Sequence, residues 1–226
     1  MSRFHTARRR GPRPPALPRN TVLQGDCIAL MRTLPARSVD FVLTDPPYLV
    51  NYRDRMGRTV ANDNDSAWLA PAFAEIARVL KDDSLCVSFY GWQATDQFMA
   101  AWRNAGLRPV GHLVFCKRYA SSSRFTAAHH EAAYILSKGR PALPEAPLND
   151  VIAFPYSGNR LHPTQKPVAA LKPIIEAFTR PGELVMDPFA GSGSTLVAAQ
   201  DTGRDFLGIE IDANHAATAF ARLASP

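Results

Sequence analysis

The chain has 226 residues, 46% of them apolar, enough to bury the core of one sizeable α/β domain and too few for two. Its 26 Lys and Arg against 20 Asp and Glu give a net charge of +6, compatible with a polyanionic partner. The three cysteines (Cys27, Cys86 and Cys116) lie far apart, which argues against a disulfide framework or a metal site and fits a reducing cytoplasm, and no apolar run nears the roughly 18 residues needed to cross a bilayer.

Residues 1–20 hold Arg3, Arg8, Arg9, Arg10, Arg13 and Arg19 among Pro12, Pro14, Pro15 and Pro18, without apolar periodicity. This reads as a disordered basic arm, either a sequence-independent phosphate tether or a solvated tail. No apolar run follows those arginines, so the segment is not read as a secretory signal. From Thr21 onward short apolar runs alternate with helical stretches. Strands are expected over Val22–Gly25, Val39–Thr44, Leu85–Tyr90, Leu113–Lys117, Ala133–Ser137, Leu184–Asp187 and Phe206–Ile211. Helices are expected over Ala67–Leu80, Thr95–Ala105, Val168–Phe178, Thr195–Asp201 and Ala213–Leu223. The alternation predicts a single α/β domain over 21–226, with a mostly parallel seven-stranded sheet and helices on both faces. Val50–Ser66 reads as a mobile polar loop, and Gly139–Leu161, with four prolines, as loop or a short insertion. Ligands of such sheets bind outside the carboxyl ends of the strands, so sites are expected just after Thr44 and Met186.

Asp45-Pro46-Pro47-Tyr48 follows the apolar run VDFVLT. Methylation of an exocyclic base amine needs this combination, because the nitrogen lone pair is delocalised into the ring. Acceptors placed at its two N–H groups would favour pyramidal geometry and free the lone pair for attack. The Asp45 carboxylate can supply one acceptor and the Pro46 carbonyl, on a chain with fixed φ, the other. Tyr48 offers a face on which an extruded base can stack, worth about 1–3 kcal/mol. A Pro-Pro run alone would more simply be a turn leaving a strand; the flanking Asp and Tyr favour the chemical reading.

The second strand end is Asp187-Pro188-Phe189-Ala190-Gly191-Ser192-Gly193-Ser194-Thr195. Gly191 and Gly193 let the backbone turn sharply and approach a ligand. The turn lacks the GK[ST] ending of a P-loop, and Leu196 stands where a dinucleotide fingerprint has its third glycine. The next strand ends in Glu210, placed to accept ribose hydroxyls. Together these features indicate an adenosine-type cofactor without a pyrophosphate.

Asp45–Tyr48 resembles the DPPY motif of DNA amino-methyltransferases, and Phe189-Ala190-Gly191-Ser192-Gly193 is similar to their FxGxG cofactor motif. His162-Pro163-Thr164-Gln165-Lys166-Pro167, Gly25-Asp26-Cys27 and His130-Glu131 before AAYILSKG resemble further segments of the same enzymes. The resemblance runs from about Val22 to Leu223, in the permuted order of the β group, catalytic motif first. It implies a Rossmann-like S-adenosylmethionine-dependent methyltransferase fold. It also implies roles. Asp45 and Pro46, with Pro47 in the same motif, hold the target amine, and Tyr48 stacks on the base. Phe189, Ala190, Gly191, Ser192, Gly193, Ser194 and Thr195 form the cofactor turn, with Asp187 near the methionine amino group. Glu210 takes the ribose hydroxyls, Asp26 and Cys27 the adenine edge, and Thr164, Lys166 and Pro167 the methionine end. Asp26 read alone would be a helix N-cap, and His162 is read as structural.

DPPY, rather than SPPY, resembles the adenine-N6 members more than the cytosine-N4 ones. The implied substrate is duplex DNA with adenine flipped from the stack, with cytosine-N4 methylation as the alternative. Arg53, Arg55 and Arg58 are placed to close over such DNA, and Lys117, Arg118 and Arg124 to contact phosphates. Residues 139–161 are a short target-recognition segment able to present few side chains to base edges, so recognition is short, relaxed or shared with a second subunit of a homodimer. The sequence carries no endonuclease motif, and an orphan role and pairing with a cognate restriction endonuclease both stay open. RNA or protein methylation is disfavoured because those families more often resemble NPPY. A non-catalytic DNA-binding partner subunit is disfavoured by the intact Asp45, Tyr48, Gly191, Gly193 and Glu210.

Overall fold

The computed structural model describes residues 17–53, 57–121, 125–158 and 161–224. The described elements are β1 (Thr21–Gln24), α1 (Cys27–Thr33), β2 (Val39–Thr44), α2 (Leu69–Val79), β3 (Leu80–Phe89), α3 (Thr95–Asn104), β4 (Arg108–Cys116) and β5 (His130–Lys138). There follow β6 (Val151–Ala153), α4 (Val168–Phe178), β7 (Leu184–Asp187), α5 (Ser194–Asp201), β8 (Asp205–Glu210) and α6 (Ala213–Ala224). One sheet runs in the order β1-β8-β7-β2-β3-β5-β4-β6, and β5 is antiparallel to both of its neighbours while every other pairing is parallel.

The central strands read as near-continuous apolar runs because both faces are covered. Along β2, Val42 turns to the core shared with Met31, Phe73, Ile76, Phe98 and Trp102 of α1–α3. Phe41 and Leu43 turn to the opposite core with Leu171, Ile174, Leu196 and Ala199 of α4 and α5. This alternation places helices on the two faces and leaves the carboxyl ends of β2 and β7 free of both layers.

Several elements differ from the sequence expectation, among them β3, which begins at Leu80, five residues before the expected Leu85. The sheet has eight strands rather than seven, because Val151–Ala153, inside the expected loop, pairs in parallel with Val114–Cys116. Three residues between prolines carry no readable period. Cys27–Thr33 is a helix of seven residues, too short for its periodicity to stand out between two strands. Strand β4 begins at Arg108, five residues before the expected Leu113. Pro109 and Gly111 read as breakers, and the strand absorbs them through a register shift between them.

Candidate active site

Strands β2 and β7 are neighbours in the sheet, with Phe41 opposite Val185 and Val42 opposite Met186. Their carboxyl ends therefore emerge side by side, and the two sequence motifs meet. The Thr44 hydroxyl donates to Asp187 Oδ1 at 3.0 Å, a buried bond between residues 143 positions apart.

On the β2 side, the Tyr48 hydroxyl donates to Asp45 Oδ1 at 2.8 Å. Lys166 Nζ lies 2.7 Å from Asp45 Oδ2 and donates to the Tyr48 hydroxyl at 3.1 Å. The same ammonium lies 2.9 Å from Glu131 Oε2, and Glu131 Oε1 is 2.6 Å from Lys117 Nζ. Each Asp45 oxygen thus holds one donor and keeps lone-pair capacity for another. Burial pushes the Asp45 carboxyl up from its ordinary range, opposed by the Lys166 charge and reinforced by Glu131. Burial also works against the Lys166 ammonium, but Asp45 and Glu131 outweigh it and hold its pKa above the ordinary value. Glu131 resists the same burial because Lys166 and Lys117 flank it, and its pKa falls to about 2. The hydroxyl of Tyr48 is held well above its ordinary pKa by burial and by the neighbouring carboxylates.

On the β7 side, Gly191 and Gly193 take φ of +51° and +82°, the left-handed region that favours glycine. A Cβ on Gly193 would also stand 2.9 Å from that of Ala219, so α6 packs directly on the turn. The Gly191 N–H donates to Glu210 Oε2 at 2.7 Å and the Asp212 N–H to Glu210 Oε1 at 2.8 Å, which fixes this carboxylate at the tip of β8. Asp187 is buried, and that burial raises its pKa to about 7 against the pull of the Thr195 hydroxyl, the Phe189 N–H and the Thr44 hydroxyl. Asp26 accepts from the Ala29 N–H at 2.8 Å and so caps α1, while also bordering the cleft. The thiol of Cys27 is pushed up to about 12 by burial and then by the charge of Asp26. Against Gly191 lies the His162 imidazole, its ring centroid 4.4 Å from that of His215. Burial, His215 and Lys166 lower its pKa to about 3.

One cleft collects most of the residues singled out from sequence. Asp45, Pro46, Pro47 and Tyr48 line it together with Asp26, Cys27, Thr164, Lys166, Asp187, Phe189, Ala190, Gly191, Ser192, Ser194, Thr195 and Glu210. Gly193 lies beneath, as the N-cap of α5, and Pro167 is the buried N-cap of α4. The cationic side chains divide. Arg53, Arg58 and Arg118 are exposed, whereas Arg55 and Arg124 fall outside the described residues. Lys117, expected on phosphates, turns inward instead: its side chain is 6% exposed because its ammonium pairs with Glu131.

The segment after Tyr48, expected as a mobile loop, is tied at its base. Buried Asp63 accepts from the Leu49 N–H at 2.8 Å and the Tyr52 N–H at 2.6 Å, and Arg53 bridges Thr59. Asp63 was one acid in a polar run and gave no distinguishing signal. Two further residues escaped the sequence reading as site components. Glu131 appeared only within a family segment, and Gly91 lies against the Asp45–Tyr48 turn, where a Cβ would stand 2.2 Å from the Tyr48 carbonyl oxygen.

The model of a DNA methylase family, N6_N4_Mtase, matches residues 39–221. The chain belongs to this DNA methylase family. The Escherichia coli K12 protein named "Putative methylase YubD" is 60% identical over 189 residues, which span 84% of this chain and 83% of that protein. The DNA adenine methyltransferase YhdJ of the same organism is 30% identical, over 90% of this chain and 82% of its own length. Among solved structures, the M1.HpyAVI–SAM complex has a TM-score of 0.73 at 22% identity, covering 91% of this chain and 99% of that one. PvuII DNA methyltransferase, cytosine-N4-specific, also has a TM-score of 0.73, at 16% identity, covering 90% and 86%. The family is that of DNA amino-methyltransferases, and among the described residues of this member no helix is long and apolar enough to cross a membrane.

Proposed function

We propose that this DNA methylase transfers a methyl group from S-adenosylmethionine to the N6 amine of adenine, flipped out of duplex DNA. The observation that carries the reading is the meeting of Asp45–Tyr48 with the glycine turn of β7 in one cleft, joined through the bond from Thr44 to Asp187. The residues present fit the cofactor. A buried carboxylate at Asp187 suits an ammonium group, Glu210 retains lone pairs for ribose hydroxyls, and the positive φ at Gly191 and Gly193 permits close backbone approach. The cofactor supplies an electrophilic methyl group on a sulfonium. Asp26 and Cys27, which line the same cleft, would hold the adenine edge, and Phe189 with Ala190, Ser192, Ser194 and Thr195 would line the rest of the cofactor pocket.

Asp45 Oδ and the Pro46 carbonyl accept the two N–H bonds of the target amine, which localises its lone pair. The proton that alkylation makes acidic then leaves through the Asp45 carboxylate. Tyr48 carries the base on its ring, with its hydroxyl tied to Asp45. Exposed Arg53, Arg58 and Arg118 are proposed to contact the DNA backbone, and a second copy of the chain to complete base recognition beside the short 139–161 segment. Adenine is preferred on the DPPY form of the motif and the likeness to YhdJ, an adenine enzyme by name. The test is transfer of labelled methyl groups to duplex DNA followed by mass spectrometry of the nucleosides. N6-methyladenine is the expected product. N4-methylcytosine would overturn the choice of base, and no labelled nucleoside would overturn the choice of substrate.

The assignment of Asp187 to the methionine ammonium has its own signature in pH. With its pKa at about 7, the carboxyl of the free protein takes up a proton below that pH, and a neutral carboxyl binds an ammonium poorly. Cofactor affinity should therefore rise with pH toward about 7, by up to about tenfold per unit. The sign for folding is opposite: between the ordinary carboxylate range and about pH 7 the native state holds a proton that the unfolded chain lacks, so the cofactor-free protein loses stability as pH rises. Calorimetric titration from about pH 5.5 to about pH 7.5, a window that brackets a carboxyl titrating at about 7, checks this. Asp187→Asn should bind weakly and with a flat profile, and a steep profile in that variant would refute the assignment.

A further inference from the structure

Lys117, Glu131, Lys166 and Asp45 form an unbroken series of alternating charges, with contacts of 2.6, 2.9 and 2.7 Å. Four separate stretches of chain supply it: the turn after β2 with Asp45, the residue following β4, the start of β5 with Glu131, and the segment before α4. Lys117 and Lys166 are 6% and 7% exposed, so neither ammonium is a solvated surface charge. Aromatic faces wall the series. Lys166 Nζ lies 4.9 Å from the ring centre of Phe89 and 5.2 Å from that of Tyr48, and Lys117 Nζ lies 5.6 Å from that of Phe154.

An ammonium so placed has one consequence for Asp45. Its contact with Oδ2, together with the Tyr48 hydroxyl on Oδ1, fixes the plane of the carboxylate and supplies the counter-charge that burial would otherwise deny it. Lys166 has a flexible four-carbon stem and could occupy other positions. Glu131 braces it from the other side, with Lys117 on its second oxygen, and its Oε2 also lies 3.5 Å from the Tyr48 hydroxyl, a longer contact than the 2.9 Å to Lys166.

We propose that Glu131 is a positioning residue for methyl transfer: it acts through Lys166, keeping that ammonium against Asp45 and Tyr48, with Lys117 as its outer anchor. The inference rests on the methyl-transfer reading of the site. It assigns Glu131 no contact with cofactor or base.

The experiment compares wild type, Glu131→Gln, Lys166→Met and the double variant in methyl transfer to duplex DNA at saturating cofactor. Alongside, the acylation of Lys166 by acetic anhydride is followed by peptide mass spectrometry. Glu131→Gln should lower kcat by about 10- to 100-fold, as loss of a group orienting a reactive side chain does, while the dissociation constant for S-adenosylmethionine stays within about twofold of wild type. In the Lys166→Met background the same substitution should cost almost nothing further, because its intermediary is gone. Lys166 should be acylated several-fold faster in Glu131→Gln than in wild type. Should Glu131→Gln fail to fold, Lys117→Met is read in its place, with the same expectations. Unchanged kcat, equal losses in both backgrounds, or unchanged acylation of Lys166 would overturn the proposal. Absence of transfer by the wild-type protein would instead refute the functional reading, and the acylation rates would still decide whether Glu131 holds Lys166.

Discussion

Replacing Gly91 by alanine should lower kcat about 100-fold, although the glycine has no side chain to take part in the reaction. Gly91 follows β3, next to β2 in the sheet, and its φ of −80° is open to any amino acid. The obstacle is contact rather than backbone strain. A Cβ there would stand 2.2 Å from the Tyr48 carbonyl oxygen, 2.9 Å from the Tyr48 Cβ and 3.0 Å from its carbonyl carbon. These are backbone and near-backbone atoms of the turn proposed to be catalytic and cannot rotate away, so the turn itself must shift. Tyr48 and Asp45 are linked by a hydrogen bond, and a displacement of one is passed to the other. A misplacement of about 1 Å at reacting groups costs about 10²-fold. Steady-state kinetics with saturating DNA and cofactor would show the loss. Cofactor affinity should change little, because the glycine turn after β7 is built from other strands. A Gly91→Ala protein with wild-type kcat would show that the turn at Asp45–Tyr48 need not be held so closely.

Much of this site could be read from sequence because its chemistry sits at the ends of long apolar strands. VDFVLT before Asp45 and the buried run LVMD through Asp187 announce two central strands, and ligands of such sheets gather at their carboxyl ends. Neither run states that β2 and β7 are neighbours; that pairing is a property of the assembled sheet. The charge series was hidden for a different reason. A lysine after a strand reads the same whether it faces solvent or a buried carboxylate, so Lys117 was expected on phosphates and is found on Glu131. Lys166 was expected beside the methionine end of the cofactor. It lines that cleft, yet its ammonium rests on Asp45, and its bond to the Tyr48 hydroxyl spans 118 positions of sequence. Local signals carry no information about partners so distant. Short elements failed for want of length: α1, with seven residues, and β6, with three, are stabilised by what they pack on rather than by their own pattern.

The larger effect is expected from Asp45→Ala. In the free protein this carboxylate is the meeting point of Tyr48 and Lys166, and its remaining lone pairs face the cleft. On the proposed mechanism the target amine then keeps its lone pair in the ring, and the proton released on alkylation loses Asp45, its proposed acceptor. Loss of such a group costs about 10²- to 10⁴-fold. Binding of the cofactor should survive, since Asp187, Glu210 and the Gly191 turn are held by Thr44, by Asp212 and by each other rather than by Asp45. The decisive measurement is single-turnover transfer of labelled methyl groups to duplex DNA by wild type and Asp45→Ala side by side, each saturated with cofactor, with the labelled nucleoside identified. Label is expected on the exocyclic amine of adenine from wild type, with a rate at least about 100-fold lower from the variant at equal cofactor occupancy. Transfer by Asp45→Ala at the wild-type rate would contradict the proposed mechanism.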